Sequence, residues 1–294
     1  MPKPLMPKIS IVTPSFNQAE FLEDAITSIL SQNYPNLEYI IIDGGSTDGS
    51  IDIIKKYAHR IAYWVSEPDK GHGDALNKGF KHATGEIMAW LNSDDLYFPW
   101  TLNAIADIFN DLPRLEWLTS NIKIMLTRKG LPYKSGLFYS FGRKAFFEGL
   151  YLLDRGAIPQ ESTFWRRTLW EHSGGRVSEG LTIVPDFELW AKFWQYSNLY
   201  TVPVPLGAIR AYKQQTTSAN FNTCCREAVH IWHKYKGKEP PLFYRYIRDF
   251  LMRFLLVKSI CGKNYTLFFD LKNNRWYFFP LLERCKRKFF RKSA

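Results

Sequence analysis

The sequence predicts an α/β fold in which a mostly parallel sheet is flanked by helices on both faces. Short apolar segments rich in β-branched residues alternate with segments whose apolar residues follow a helical period. Such βαβ alternation is typical of parallel sheets, and several of these strands end in polar residues. Because ligands of open parallel sheets bind beyond the carboxyl ends of the strands, we expect a site at that edge.

The elements follow one another closely through the first 91 residues. Apolar, β-branched segments predict strands at residues 9–14, 37–43, 61–66 and 86–91. The first helix begins near Glu20, and its apolar residues share one face: Phe21, Leu22, Ala25, Ile26, Ile29 and Leu30. Further helices are predicted at 50–57 and 74–82, and the glycine-rich segment 44–49 supplies the turn before the second helix.

Two adjacent carboxylates, Asp94 and Asp95, follow the fourth strand. Like charges side by side cost free energy unless a positive charge lies near them. A divalent cation that carries a diphosphate fits, because hard cations take oxygen ligands and share them with substrate phosphates. An ordinary turn is the alternative. The polar strand ends Thr13 and Asp43 fall at the same edge of the sheet, which favours a binding site.

Five motifs stand in a characteristic order: 10–17, 29–35, 42–49, 77–79, and 83–86 leading to the two aspartates. In this order and spacing they resemble family 2 glycosyltransferases of the GT-A fold. The resemblance is dense over residues 8–110 and thinner as far as residue 213. Gly44 stands where many members carry a second acid, a form similar to enzymes that build bacterial surface polysaccharides.

The resemblance implies a nucleotide-sugar donor, with a UDP-sugar expected. Thr13 and Pro14 would frame the pyrimidine, and Asp43 would accept the uracil N–H, a charge-assisted bond that cytosine cannot make. For Asp43, capping of the next helix is the alternative. Asp95 would hold Mn²⁺ or Mg²⁺ against the diphosphate, with Asp94 near the ribose or the metal. The nucleotide-binding candidates are Thr13, Pro14, Ser15, Asn17, Asp43, Gly44, Lys70, Asp74, Asn77 and Asp94.

A glycine-bracketed loop at residues 70–74 follows the third strand. In this fold such a loop lies over the nucleotide, so Lys70 or Lys78 could meet a phosphate. Asp74 could contact hydroxyls of the donor sugar or cap the helix that follows. His72 receives no catalytic role, because a lone loop histidine is usually just solvated.

Transfer by direct displacement with inversion needs a base beside the acceptor hydroxyl. The resemblance implies Asp186 as that base, with Glu161 and Glu188 as alternatives, although Pro185 and Asp186 also fit helix capping. Gln160, Glu161, Arg210 and Lys213 are expected to contact the acceptor or the diphosphate. The aromatic side chains of this part of the chain stack on sugars or belong to the core: Trp165, Trp190 and Trp194.

The charge distribution predicts two units. Residues 1–223 carry 22 Lys and Arg against 23 Asp and Glu, whereas residues 224–294 carry 17 against 5 and include 16 aromatic residues. We expect a catalytic domain at 1–223 and a helical basic, aromatic extension at 224–294. The extension either lies on an anionic membrane, where each basic residue contributes about 1 kcal/mol, or packs its aromatic residues on the catalytic core.

The remaining features predict a cytoplasmic protein on the inner face of the cell membrane. The N-terminal segment lacks the apolar core of a signal peptide, and four cysteines without metal-ligand spacing suggest free thiols. The expected acceptor is a lipid-linked oligosaccharide or a polysaccharide. The alternatives are a nucleotidyltransferase, a catalytically inactive nucleotide-binding relative, and a basic adaptor for membrane or nucleic acid; we expect no nucleic acid partner.

Overall fold

The structure is a computed structural model that describes residues 6–137, 142–149, 158–178, 183–212, 220–235, 265–271 and 273–280. The strands, in chain order, are β1 (Ile9–Ser15), β2 (Leu37–Asp43), β3 (Tyr63–Ser66), β4 (Ile87–Trp90), β5 (Leu96–Tyr97), β6 (Trp117–Ser120), β7 (Ile122–Leu126), β8 (Pro132–Leu137), β9 (Thr163–Arg166), β10 (Tyr200–Val202), β11 (Gly207–Arg210), β12 (Tyr265–Asp270) and β13 (Arg275–Pro280). The helices are α1 (Ala19–Leu30), α2 (Ser50–Tyr57), α3 (His72–His82), α4 (Thr101–Asp111), α5 (Arg143–Phe147), α6 (Arg167–His172), α7 (Pro185–Tyr196) and α8 (Phe221–Lys234).

A nine-stranded sheet forms the centre of the fold, in the order β13-β12-β10-β6-β9-β4-β1-β2-β3. Strands β1 to β4 run parallel, as the alternating pattern predicts, and β9 inserts antiparallel between β4 and β6. The predicted mostly parallel sheet with flanking helices is confirmed. A second sheet of order β5-β11-β7-β8 lies beyond the carboxyl end of β4, and its strand β11 returns the chain to that edge.

The core of the sheet is aromatic as well as aliphatic. The indole rings of Trp90 and Trp190 stack with their centroids 5.9 Å apart, and Trp165 meets both at steep angles. Five tryptophans are at most 2% exposed: Trp90, Trp117, Trp165, Trp190 and Trp194. Trp165, Trp190 and Trp194 therefore belong to the core, and the alternative that they stack on sugars is wrong.

The C-terminal extension differs in part from the helical expectation. Helix α8 is present and crosses the predicted boundary at residue 223, but residues 265–280 form the antiparallel hairpin β12–β13. Strand β12 pairs with β10 and so extends the central sheet. The reason is local, because Thr266–Phe269 and Trp276–Phe279 are dominated by aromatic and β-branched residues that favour strands.

The extension packs on the rest of the chain. Leu267 is fully buried, Trp232 donates its indole N–H to the carbonyl of Phe147 at 2.9 Å, and the Trp276 amide donates to Asp111. These contacts support the packing alternative for the described part of the extension. The apolar segment 250–257 and the basic residues after 280 lie outside the described residues.

The structure tests the expectations about membrane spans and cysteines only for the residues that it describes. No helix in the described ranges combines the length and the apolar character needed to cross a bilayer. Cys224 and Cys225 form no disulfide with a described residue, whereas Cys261 and Cys285 lie outside the described residues.

Candidate functional site

The carboxyl ends of β1, β2 and β3 meet at one edge of the sheet. Register places Ser15 beside Asp43 and Asp43 beside Ser66. Thr13 lies deeper, is fully buried, and accepts a hydrogen bond from the Tyr39 hydroxyl at 3.1 Å. Ser15 is buried too, and its Oγ has no hydrogen-bond partner among the described residues. The strand ends therefore converge as predicted, although Thr13 serves the sheet interior.

Asp43 holds the turn that follows β2. Its Oδ2 accepts from the amides of Gly45 and Ser46, at 3.1 and 2.8 Å, and from the Ser66 hydroxyl at 2.7 Å. Its Oδ1 accepts from the Ser46 hydroxyl at 2.5 Å. The side chain is completely buried. These bonds hold the turn at residues 43–46, whereas α2 begins only at Ser50 and its cap residue is Gly49. The geometry therefore supports neither capping of α2 by Asp43 nor the predicted bond to a uracil N–H.

The same turn is tied to the loop after β1. Asn17 adopts a positive φ of 50°. Its amide donates to the Ser46 hydroxyl at 2.7 Å, and its Oδ1 accepts from the Thr47 amide at 2.9 Å. Asp48 accepts from the amides of Ala19 and Ser50. Asn17 thus fixes the shape of the crevice through the backbone of a neighbouring loop.

Asp69 and Phe16 lie close to Gly44 at the end of β2. A Cβ atom placed on Gly44 would meet Asp69 Oδ2 at 2.7 Å and Phe16 Cδ2 at 3.3 Å. The Phe16 ring is 59% exposed. Asp69 Oδ1 accepts from the Gly71 amide at 2.8 Å, which fixes the turn in the loop after β3.

Several loop residues have structural partners. Asp74 accepts from the Lys70 amide at 3.0 Å, which is the capping alternative for Asp74. Lys78 pairs with Glu67 at 2.9 Å, and this bond raises the pKa of the Lys78 ammonium. The Asn77 side chain exchanges two hydrogen bonds with the Val177 backbone, at 2.9 and 3.0 Å. The predicted nucleotide contact of Asn77 is therefore not supported, because its amide anchors a distant loop.

His72 faces Asn92 at the start of α3. The Nε2 atom of His72 and the Oδ1 atom of Asn92 are both buried, and neither has a hydrogen-bond partner among the described residues. Burial lowers the pKa of His72 to about 4, although the Asn92 side chain offsets part of the shift. The ring is therefore neutral at physiological pH, with one donor and one acceptor nitrogen.

Asn92 and Gln160 connect the end of β4 to the segment before β9. Asn92 Nδ2 donates to Gln160 Oε1 at 3.1 Å and, more weakly, to Asp95 Oδ2 at 3.4 Å. Gln160 Nε2 donates to the Trp90 carbonyl at 2.7 Å, and Gln160 is 9% exposed. Gln160 therefore positions the end of the strand, and the geometry does not support its predicted acceptor contact.

The adjacent carboxylates Asp94 and Asp95 lie in contrasting surroundings. Asp94 is partly buried and accepts from the Tyr212 hydroxyl at 2.9 Å, whereas Asp95 is 1% exposed and accepts from the Arg210 amide at 3.0 Å. Burial raises the pKa of Asp94. Burial also raises the pKa of Asp95 well above its ordinary range, with further increases from the Asp94 and Glu161 carboxylates. A cation at this pair would relieve the cost of holding both charges.

Arg210 is a positioning residue beneath this pair. It is 1% exposed, and its guanidinium lies over the Phe21 ring at 4.8 Å. Its three nitrogens donate to the Asp94 carbonyl, the Arg128 carbonyl and the Asp24 carboxylate, at 3.0, 2.7 and 2.9 Å. Because each of its three nitrogens already donates one hydrogen bond and the side chain is almost completely buried, the geometry does not support the predicted diphosphate contact of Arg210. Lys213, the other predicted contact, lies outside the described residues.

The donor set suits a cation that keeps ligands from its substrate. Within the described ranges no group of three or more His, Cys, Asp or Glu residues could hold a metal by itself. Mg²⁺ and Mn²⁺ prefer oxygen ligands, and Mg²⁺ typically takes one or two carboxylates together with substrate phosphates. Asp94 and Asp95 supply that pair, and Asn92 Oδ1 is an unpaired buried oxygen close by. The residues present therefore fit Mn²⁺ or Mg²⁺ bound together with a diphosphate.

Asp186 and Glu161 approach the same crevice from the other side. Asp186 is the second residue of α7 and remains partly exposed. Burial raises its pKa to about 6, and the Glu161 carboxylate adds to the increase. Glu161 is 2% exposed, its Oε1 lacks a partner among the described residues, and burial raises its pKa as well. Of the two, Asp186 has the better access for an acceptor hydroxyl and a pKa close to neutral.

Glu188 does not face the crevice, and its prediction as an alternative base is wrong. It is completely buried and accepts from the Ser178 amide and hydroxyl, at 2.7 and 2.6 Å. Lys234 of α8 pairs with it at 2.9 Å, and Lys192 lies at 3.4 Å. Burial alone would raise its pKa, but the bonds to Ser178 and Lys234 lower it to about 2. A carboxylate held this way takes up protons too weakly to act as a base near neutral pH.

Four residues of the crevice escaped the sequence reasoning: Phe16, Asp69, Asn92 and Tyr212. Phe16 and Asn92 lie inside segments that the motifs had already marked, so their positions were a usable signal. Asp69 belongs to a Glu-Pro-Asp turn, which looks like ordinary loop chemistry. Tyr212 lies between Arg210 and Lys213, which the resemblance had marked, but the sequence did not indicate its contact with Asp94.

Comparison with known proteins agrees with this arrangement. The sequence model "Glycosyl transferase family 2" matches residues 10–146. An uncharacterized glycosyltransferase from Rickettsia typhi is 30% identical over 222 residues, which cover 74% of this chain and 68% of the relative. One from Rickettsia bellii is 39% identical over 242 residues, but these cover only 34% of that longer relative.

Solved structures share the fold at low identity. Staphylococcus aureus TarS in complex with UDP-GlcNAc has a TM-score of 0.56 at 17% identity, covering 72% of this chain and 61% of TarS. The mannosyltransferase PcManGT from Pyrobaculum calidifontis, in complex with GDP-Man and Mn²⁺, has a TM-score of 0.56 at 20% identity, covering 87% of this chain and 72% of PcManGT. The sheet and its neighbours define a GT-A fold protein. The chain belongs to glycosyl transferase family 2.

Proposed function

We propose that the protein transfers one sugar from a UDP-linked donor to a lipid-linked oligosaccharide or a polysaccharide, with inversion at the anomeric carbon. One observation carries the proposal. Asp95 and Asp186 both lie within electrostatic reach of the Glu161 carboxylate, which supports one crevice that combines Asp186, whose pKa is raised to about 6, with a carboxylate pair suited to a metal-bound diphosphate, Asp94 and Asp95. A leaving-group site and a base site on one crevice are what direct displacement needs.

Each residue has a separate task. Asp186 takes the proton of the acceptor hydroxyl as that oxygen attacks the anomeric carbon, and a pKa of about 6 leaves it ionised near neutral pH. Asp94 and Asp95 would hold Mn²⁺ or Mg²⁺ together with the donor diphosphate, and the cation would supply Lewis-acid stabilisation of the leaving group. Arg210 donates from Nε to the Asp94 carbonyl and from its backbone amide to the Asp95 carboxylate, and so holds both residues in place. Asn17 and Asp43 shape the loops of the donor side.

The relatives' bound ligands support the proposed donor, and the charge of the extension supports the proposed location. TarS and PcManGT were solved with UDP-GlcNAc and with GDP-Man, which supports a nucleotide sugar as donor. We propose that the enzyme works on the cytoplasmic side of the cell membrane, with the described part of the extension 224–294 packed on the core and the basic residues of the extension toward the lipid surface. The net charge of that segment supports contact with anionic lipid, with 17 basic against 5 acidic residues.

The test measures release of nucleoside diphosphate from a panel of nucleotide sugars with Mn²⁺ present. We expect slow hydrolysis of one UDP-sugar, lost on chelation and in Asp95→Ala. Asp52→Asn is the matched control, because Asp52 is a highly exposed helix-start acid away from the crevice. Hydrolysis that survives both chelation and Asp95→Ala contradicts the metal assignment.

The alternatives predict other outcomes in the same assay. A catalytically inactive relative binds the nucleotide in a calorimeter but releases no diphosphate even with acceptor extracts present. A basic adaptor binds no nucleotide sugar at all. A nucleotidyltransferase would release pyrophosphate from a nucleoside triphosphate and a sugar phosphate.

A further inference from the structure

We propose that Glu227 of α8 is a positioning residue for Asp186: it holds the start of α7, so that the first helix of the C-terminal extension forms part of the catalytic unit. The proposal rests on the proposed role of Asp186 as base and adds what keeps that carboxylate in place. It gives α8 a task other than contact with a membrane.

Helix α7 begins at a cap residue that cannot cap it. Val184 has an apolar side chain and makes no capping hydrogen bond from it. A capping box is not available either, because Phe187 stands at the third helical position, where Glu or Gln would reach back to the cap. The amides that lead into α7 therefore need an acceptor from outside its first turn.

Glu227 supplies that acceptor from 43 positions beyond the cap residue. Its Oε2 accepts from the amides of Ile183 and Val184, at 3.1 and 3.3 Å. The Glu227 side chain is partly buried, and a carboxylate at the start of a helix also interacts favourably with the helix dipole. One oxygen of Glu227 thus holds the two residues directly before Pro185 and Asp186.

A second contact fixes α8 against α7. The buried carboxylate of Glu188 accepts from Lys234 Nζ at 2.9 Å and from the hydroxyl of Tyr235, the residue after α8, at 3.3 Å. Positions 227 and 234 lie seven residues apart and therefore on one face of α8. That face holds α7 on both sides of Asp186, with Glu227 before it and Lys234 after it.

The surroundings of the Asp186 carboxylate depend on the first turn of α7. Burial raises its pKa, and hydrogen bonds from the amides of Phe187 and of Asp186 itself offset part of the increase. Two side chains of other elements also act on it, because the Glu161 charge raises the pKa and the Lys123 charge lowers it. A first turn that moved would change the burial and both amide bonds. Glu227 therefore acts on the base without touching the substrate.

The experiment follows the Asp186 carboxyl directly in the full chain. ¹³C NMR of protein labelled at the aspartate carboxyl carbon, with Asp186→Asn to assign the signal, gives the midpoint of its titration. We expect a midpoint near pH 6 in the unaltered protein. Glu227→Ala should lower it by about one pH unit or more toward the ordinary value of 3.8, because a loosened first turn exposes the carboxylate to water.

Further variants separate positioning from general damage. Glu227→Gln keeps an oxygen that accepts from both amides and should leave the midpoint near that of the unaltered protein. Glu227→Asp shortens the side chain and should lower the midpoint, and it replaces the alanine variant if that variant does not fold. Arg226→Ala is the matched control, because the exposed Arg226 side chain bonds to Thr223 on the same helix. Thermal melting checks the fold of each variant.

Turnover tests whether Glu227 acts through Asp186. Release of UDP from the UDP-sugar that the unaltered protein hydrolyses should fall by about 10- to 100-fold in Glu227→Ala, as misplacement of a catalytic group does. UDP should bind as before in a calorimeter with Mn²⁺ present. In the Asp186→Asn background the same substitution should cost no further turnover, because residues that act as a unit are not additive.

The results distinguish a failure of this assignment from a failure of the proposed function. An unchanged midpoint in Glu227→Ala overturns the positioning role while Asp186 remains the proposed base. An equal change in Arg226→Ala, an equal loss of turnover in both backgrounds, or loss of UDP binding also overturns it. Full turnover in Asp186→Asn overturns the proposed base itself. If the unaltered protein hydrolysed no UDP-sugar, the proposed donor would fail, and the titration would still decide whether Glu227 positions Asp186.

Discussion

Replacing Asp186 by asparagine should stabilise the protein while it removes most of the turnover. Burial raises the pKa of Asp186 from 3.8 to about 6. Roughly two pH units correspond to about 3 kcal/mol, at about 1.36 kcal/mol for each unit. Because the side chain keeps some contact with solvent, this is an upper limit for the free energy of unfolding that asparagine gains.

The sign follows from the direction of the shift. A carboxyl whose pKa is higher in the folded state destabilises the fold when it ionises, so the unaltered protein loses stability between about pH 4 and pH 6. The gain in Asp186→Asn should be absent below that range and complete above it. Turnover of the unaltered enzyme should rise through pH 6, and the variant should lose about 10²–10⁴-fold.

Urea unfolding near pH 4 and pH 7.5 tests the predicted gain in stability. Diphosphate release in the presence of acceptor tests the predicted loss of turnover. Asp52→Asn is again the control, because Asp52 is also a first-turn acid but is exposed; it should show no such pH-dependent gain. Equal stability of Asp186→Asn and the unaltered protein at both pH values would refute the burial argument. Turnover that survives the substitution would move the base to Glu161.

The remaining predictions concern the metal pair and its supports. Mn²⁺ affinity, measured by water-proton relaxation, should increase from pH 5 to pH 8. The reason is that protons compete with the metal for the Asp95 carboxylate, whose pKa is raised by burial and by the Asp94 charge. Asp95→Asn should remove most of the Mn²⁺ binding. Arg210→Lys should lower the free energy of unfolding in urea by about 3 kcal/mol, because lysine cannot reproduce three buried guanidinium bonds. Glu188→Gln should destabilise the protein at pH 7 and progressively less toward pH 3, because the pKa of Glu188 is lowered to about 2.

Each of these has a result that would count against it. If Mn²⁺ affinity changed neither with pH nor in Asp95→Asn, the metal would bind at a site other than Asp94 and Asp95. Arg128→Lys is the control for Arg210→Lys, because the Arg128 side chain is 50% exposed. If both substitutions lowered the free energy of unfolding equally, the buried hydrogen bonds of Arg210 would not be the cause. A Glu188→Gln defect that stays constant with pH would show that packing, and not charge, is lost.

The sequence identified the edge of the sheet but not which acids on it are available. Asp186 and Glu188 lie two positions apart at the start of α7, and the sequence alone does not distinguish their surroundings. On a helix they lie about 200° apart, so one faces the crevice and the other faces α8, whose Lys234 comes 46 positions later. No local pattern contains that partner.

Asp43 shows the same limit from the other direction. Its place at the end of β2 was predicted correctly, because β-branched runs and polar ends are local signals. Its full set of hydrogen bonds includes the Ser66 hydroxyl, which pairing of β2 with β3 brings beside it. Availability of a buried carboxylate depends on such non-local partners, whereas its position in a strand does not.

The pairing of β10 with β12 has a consequence for how the chain is made on the ribosome. Strand β10 is synthesised more than 60 residues before β12, the neighbour that covers its free edge. Lys234, which pairs with the buried Glu188 carboxylate, is likewise synthesised later than Glu188. Until these later segments emerge, the nascent chain carries an open strand edge and a half-satisfied charge beside the helix of Asp186. The surroundings of α7 and the edge of β10 are therefore completed only when residues 234 and 265–266 have been synthesised.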